Sequence, residues 1–140
     1  MTGEEIQALL GAQRTFFNSG ATLSVDFRIK SLRKLYDAVK AHEGDIHAAL
    51  TADLGKSAYE GFMCESGLAL TEISYMIKHT RKLARRKTVR TPLAQFASHS
   101  FTQAMPYGNT LIMSPWNYPF LLTIDPLADA IAAGNTVILK

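Results

Sequence analysis

Apolar positions recur at spacings of three and four through the first 83 residues, and the period changes after residue 88, so the chain reads as a helical front followed by strands. Residues 4 to 17 place Ile6, Leu9, Leu10 and Phe16 on one side of a short helix that Gly20 is expected to end. From Ser24 as N-cap, Val25, Ile29, Leu32, Leu35, Tyr36 and Val39 mark a second helix, with Asp26 and Lys30, and Arg33 and Asp37, pairing on its outer face. Gly44 is expected to end it. Asp45 then opens a third helix carrying Ile46, Ala49, Leu50 and Leu54, and Gly55 is placed as its left-handed cap. Ser57 and Glu60 form a Ser-x-x-Glu capping box for a long fourth helix. Along it Tyr59, Phe62, Ser66, Ala69, Ile73, Met76, Thr80 and Leu83 alternate by three and four; Ser66 and Thr80 weaken that stripe as a coiled-coil seam and favour packing inside a globular domain.

Residues 88 to 105 are rich in β-branched and aromatic types around Ser98-His99 and predict two strands of a hairpin or ribbon. Pro106-Tyr107-Gly108 is a turn, Asn109 to Met113 a short apolar strand, and Pro119 to Ala133 a helix with Pro119 in its first turn. Gly134-Asn135 closes that helix before a buried strand, Thr136 to Leu139. Strand, helix and strand within about thirty residues make a βαβ unit, the seed of a parallel sheet. The expected fold class is α/β: N-terminal helices plus the first βαβ unit of a Rossmann-like parallel sheet, with a β-hairpin arm. The expected division is a helical part at 1–87, bridging strands at 88–105 and the βαβ unit at 106–140. Two parallel strands supply neither covered faces nor edge partners, so a truncated front of a larger sheet is expected.

A hydrophobic share of 47% is enough to build a core. The start, MTGEEIQALL, lacks the basic and apolar regions of a secretory signal, and residues 120 to 139 are interrupted by Asp125, Pro126, Asp129, Gly134 and Asn135, short of the about 20 apolar residues of a membrane span. A soluble protein is expected, with no membrane partner. The single cysteine, Cys64, excludes an intrachain disulfide and fits a reducing, cytoplasmic setting. It sits mid-helix between Met63 and Glu65 with nothing to activate the thiol, so it reads as a packing residue. Seven of the fifteen basic residues lie between Lys78 and Arg90, and the remainder has eight basic against twelve acidic side chains, a net of −4. No aromatic is interleaved in that run, so it reads as a solvated helix end rather than a nucleic-acid surface. His42, His47, His79 and His99 show no metal-ligand spacing.

The candidate chemistry lies in the loop Ser114-Pro115-Trp116-Asn117-Tyr118-Pro119, because ligands of open α/β sheets bind beyond the carboxyl ends of strands. Two prolines restrict the loop, Trp116 offers an apolar wall and Asn117 an amide donor. On spacing alone Asn117 reads first as a turn residue bonding local backbone, and Lys140 is equally a solvated terminal side chain. No GxGxxG motif is present.

The segment LIMSPWNYPFLLTIDPLADAIAAGNTVILK at 111 to 140 resembles the first strand, cofactor loop, helix and second strand of the aldehyde dehydrogenase superfamily. LGKSAYEGFMCESGLALTEI at 54 to 73 and RTPLAQFASHSFTQAMPYG at 90 to 108 are similar to the helical segment and bridging arm of its class 3-like branch. The resemblance implies NAD(P)-dependent oxidation of an aldehyde to a carboxylic acid through a cysteine thiohemiacetal. It implies that Asn117 is the oxyanion donor, that Met113, Ser114, Pro115 and Trp116 contact the nicotinamide ribose and phosphate, and that Lys140 contacts the adenosine ribose. A lysine at that strand end, where many dinucleotide folds place an acid, is compatible with NAD or NADP. The family's nucleophile and general base match no residue here; Glu60, Glu65 and Glu72 do not fit the base motif. A homodimer through 88–105 is implied, and the alternative is a non-catalytic homologue acting as an assembly or binding module.

Overall fold

The computed structural model describes residues 2–140. Helix α1 (Gly3–Asn18) leads through a 3-10 turn at Ala21–Leu23 into α2 (Val25–Ala41) and α3 (Glu43–Leu54). Then come α4 (Ala58–Gly61), a π-helical turn (Phe62–Ser66) and α5 (Gly67–Leu83). Strands β1 (Lys87–Val89), β2 (Ser100–Thr102) and β3 (Asn109–Ile112) precede α6 (Leu121–Ala133) and β4 (Thr136–Leu139).

Helix ends follow local chemistry. A complete capping box starts α1, with Thr2 N donating to Glu5 Oε2 at 2.7 Å and Glu5 N to Thr2 Oγ1 at 3.3 Å. Ser24 accepts from Phe27 N at 3.3 Å, and Ser57 accepts from Glu60 N at 3.1 Å. Gly55 closes α3 at φ +67 as expected. Gly44, however, ends nothing. His42 alone separates α2 from α3, and Gly44 lies in the first turn of α3, where Glu43 and Asp45 suit the helix dipole. Helix α6 starts at Leu121, later than expected, and Pro119 lies in the turn leading into it, where Leu122 N already reaches Tyr118 O at 3.1 Å.

The expected regular fourth helix is broken by the π turn, in which Gly67 N bonds to Phe62 O. A Cβ on Gly67 would stand 2.7 Å from that oxygen, so glycine is what permits the closure. Tyr59, Phe62 and Leu83 of the anticipated stripe are exposed, whereas Ser66 and Thr80 are fully buried. Both hydroxyls are satisfied: Ser66 Oγ with His47 Nε2 at 2.9 Å, and Thr80 Oγ1 donating to Met76 O at 2.6 Å.

Leu32 and Val39 of α2, Leu70 and Ile73 of α5, and Ala128 and Ala132 of α6 form the core. Asp26 pairs with Arg81 across α2 and α5 rather than with Lys30 along its own helix. Strands β3 and β4 are parallel, in register from Asn109 opposite Thr136 to Ile112 opposite Leu139, which completes the expected βαβ unit. Helix α1 leans on this pair, where Gln13 Nε2 donates to Val137 O at 2.8 Å. Gly134 at φ +95 turns the chain between α6 and β4, and its missing Cβ also makes room for the Arg28 guanidinium. That buried cation donates to Thr22 O at 2.6 Å and to Ala132 O, at the negative end of α6, at 3.3 Å.

Antiparallel β1 and β2 pair from Lys87 opposite Thr102 to Val89 opposite Ser100. The ribbon expected over 88–105 is therefore present only as two three-residue strands. Between them Pro92, which has no N–H to offer a ladder, precedes a 3-10 turn at Leu93–Gln95. Among the described residues no helix is long and apolar enough to cross a membrane.

Candidate functional site

Both strands of the parallel pair end at one place, and the loop 113–120 springs from it. Lys140 N donates to Ile112 O at 2.9 Å, and Ser114 N donates back to Lys140 O at 3.2 Å, which brings Lys140 beside the first residues of the loop. Ser114 Oγ is hydrogen-bonded to Thr123 Oγ1, tying the loop to the first turn of α6. Met113, Pro115 and Asn117 are exposed, and Trp116 is 90% exposed. All six residues singled out from the sequence thus stand at the carboxyl end of the β3–β4 pair, where ligands of such sheets bind. The arrangement in which the Asn117 side chain bonds neighbouring backbone is not found. Among the described residues its amide has no hydrogen-bond partner, and only its main-chain carbonyl is engaged.

That carbonyl accepts from Lys56 Nζ at 2.9 Å. Lys56 is 7% exposed and Glu65 is 0% exposed, and the two form a 2.5 Å ion pair under the loop. The ammonium also lies 4.1 Å from the centroid of the Tyr118 ring. The other oxygen of Glu65 accepts from Phe120 N at 3.0 Å and Leu121 N at 2.8 Å. A helix N-terminus presents free N–H groups and a partial positive charge, which elsewhere receive a phosphate. In this chain a carboxylate from the π turn already fills that position.

Neither Lys56 nor Glu65 was identified by sequence reasoning. Lys56 falls in a three-residue connection between two helix caps, and Glu65 reads as one more helix-surface acid if a regular period is assumed. The available signal was Glu65 itself, adjacent to Ser66 on the inward stripe, a position where an acid needs a buried partner.

A second group of acids lies away from the loop. Burial pushes the Glu72, Asp125 and Asp129 carboxyls above their usual range. The charge of Asp129 adds to the rise at Glu72 and Asp125, while a hydrogen bond with Glu72 opposes it at Asp129. Among the described residues no cluster of three or more His, Cys, Asp or Glu side chains could hold a metal.

Comparison with known proteins adds an independent line. The model of the aldehyde dehydrogenase family matches residues 1–140. The chain is 43% identical over 127 residues to a 4,4'-diaponeurosporen-aldehyde dehydrogenase of Staphylococcus aureus, covering 91% of the chain and 28% of that protein. It is 41% identical to a dimeric NADP-preferring aldehyde dehydrogenase of Canis lupus familiaris, covering 97% of the chain and 30% of the relative. The structure of the substrate-bound state of Staphylococcus aureus AldH superposes with a TM-score of 0.92 at 41% identity, over 100% of this chain and 30% of that one. The chain therefore spans less than a third of the length of the proteins it matches.

Proposed function

The chain belongs to the aldehyde dehydrogenase family, and from that membership we propose that it forms the front of an enzyme oxidising an aldehyde to a carboxylic acid with NAD or NADP. In this reading the cysteine nucleophile and the general base come from outside these 140 residues, and residues 1–140 alone are inactive. Cys64, within the π turn, takes no part.

One observation carries the proposal. Asn117 stands exposed, its amide unengaged, at the strand-end cluster that also contains Ser114 and Lys140. When a thiolate adds to an aldehyde, the carbonyl electron pair moves onto oxygen, and a donor already in place lowers that barrier by about 3 kcal/mol. The Asn117 amide is the donor. Met113, Ser114, Pro115 and Trp116 line the nicotinamide ribose and phosphate, and Lys140 contacts the adenosine ribose. The exposed Trp116 indole and a loop fixed by two prolines suit such a ligand, whereas the α6 terminus, filled by Glu65, leaves the phosphates to be held elsewhere. Bound NAD(P)+ supplies the hydride acceptor, in keeping with the cofactors of the family.

Residues 88–105 are assigned as a bridging arm that pairs with a second copy, between the helical part at 1–87 and the βαβ unit at 106–140. Exposed Leu93, Phe96 and Phe101 support that assignment. The lone thiol suits the reducing cytoplasm we assign to the protein.

The test is turnover by the complete polypeptide carrying this segment, with short, long-chain and aromatic aldehydes and each of NAD+ and NADP+. Equal amounts of carboxylate and reduced nicotinamide are expected. Absence of turnover with both cofactors, in a protein that still assembles through 88–105, would leave the non-catalytic assembly module as the reading.

A further inference from the structure

We propose that Lys56 and Glu65 are positioning residues for Asn117, acting as one buried ion pair that fixes the loop from beneath; the catalytic meaning of this rests on the dehydrogenase reading above. Within these 140 residues the loop 115–118 has little packing of its own, and the side-chain hydrogen bonds that this segment supplies to its main chain come from beneath. Those bonds converge on the pair. Lys56 Nζ holds the Asn117 carbonyl at 2.9 Å and faces the Tyr118 ring, while Glu65 Oε2 holds Phe120 N at 3.0 Å and Leu121 N at 2.8 Å. The loop is gripped on both sides of Pro119.

The pair is itself held on fixed backbone. Lys56 follows the left-handed Gly55 cap and precedes the Ser57 cap, and its own carbonyl accepts from Thr51 Oγ1 at 2.7 Å. Glu65 is turned inward by the π turn, a feature that recurs at functional sites. Burying both charges is a poor route to stability alone, because desolvation offsets much of the attraction between them. What the pair adds is a single geometry for the main chain next to the donor, and a donor misplaced by an ångström forfeits much of its effect on rate.

The test uses the complete polypeptide and two variants, Lys56→Met and the double change Lys56→Met with Glu65→Gln. The double variant leaves no stranded buried charge and keeps a carbonyl for the α6 N–H groups, so it folds even where Lys56→Met does not. Amide exchange read by mass spectrometry is expected to rise about tenfold in the peptide covering 114–121, which carries the Phe120 and Leu121 N–H groups held by Glu65, and to stay unchanged in peptides from α2 and β4. Turnover is expected to fall by about 10²-fold, with KM for the cofactor within about threefold of the parent. Unchanged exchange at 114–121, or a rise shared equally by α2 and β4, overturns the proposal. So does a loss of kcat matched by a parallel rise in KM and a fall in Tm. A parent protein that oxidises no aldehyde sinks the dehydrogenase reading alone, and exchange still decides by the same criterion whether the pair holds the loop.

Discussion

The Glu65 carboxylate caps α6 from a distant part of the chain, accepting the Leu121 N–H at 2.8 Å across 56 residues of sequence. Replacing it by alanine leaves Lys56 without its partner and two N–H groups without an acceptor. Glu65→Ala is expected to cost about 3–5 kcal/mol in denaturant unfolding. The vacated terminus then becomes an anion site, so sulfate should raise the Tm of the variant by more than it raises that of the parent. An equal response in both proteins would show that Glu65 does not occupy the terminus.

For Asn117 the expected signature is a kinetic split. In the complete polypeptide, Asn117→Ala is expected to lower kcat by about 10²- to 10³-fold, because a donor used chiefly in the transition state affects turnover more than ground-state binding. Cofactor affinity should change little. Near-normal kcat would remove the catalytic role assigned to this residue.

Stability should depend on pH through the acids of α5 and α6. A carboxyl whose folded pKa is raised binds protons more readily when folded, so its contribution is fully present below the ordinary carboxylate range and is lost as pH rises through the raised value. Asp125 is the informative member, since burial is the first cause of its shift and its Oδ1 is buried without a hydrogen-bond partner among the described residues. Asp125→Asn mimics the protonated form. Thermal melts should show the variant above the parent at neutral pH and the two converging in acid; a constant offset at every pH would contradict the assignment.

The arm can be tested by mass. The complete polypeptide should elute as at least a dimer by size exclusion with light scattering at micromolar concentration. Phe96, exposed between β1 and β2, is the position where a charge should do most harm. Phe96→Lys is expected to shift the population toward monomer with Tm unchanged to within about 2 °C. A parent protein that is itself monomeric would refute the bridging role.

How far the sequence could be read depended on the range of the determining interaction. Helix α2 was legible because Leu32 and Val39 mark its buried face by local periodicity, and the βαβ unit because two short apolar runs at 109–112 and 136–139 flank a helix closed by Gly134. The loop 114–119 was legible as a constrained connection through its two prolines, Trp116 and Asn117, and through its family likeness. Gly44 misled because a glycine is a stop only when the chain turns left-handed there, and at Gly44 it does not. The long ribbon at 88–105 was overdrawn because β-branched composition fixes neither pairing nor register, and Pro92 interrupts both. Lys56 and Glu65 escaped notice because their meaning is a contact between segments nine and more than fifty residues apart.

The π turn also fixes how this protein tolerates changes in length. One surplus residue between Phe62 and Ser66 rotates everything after it by about 100°, so α5 is out of phase with α4 by a single step. Substitutions in that turn alter individual contacts, but removing one residue would restore an ideal helix and swing Leu70 and Ile73 away from Leu32. The shortened chain should lose its cooperative melt although its helix content rises. Five residues here act as a spacer whose count sets the phase of α5, apart from the contacts that Glu65 and Ser66 make within it.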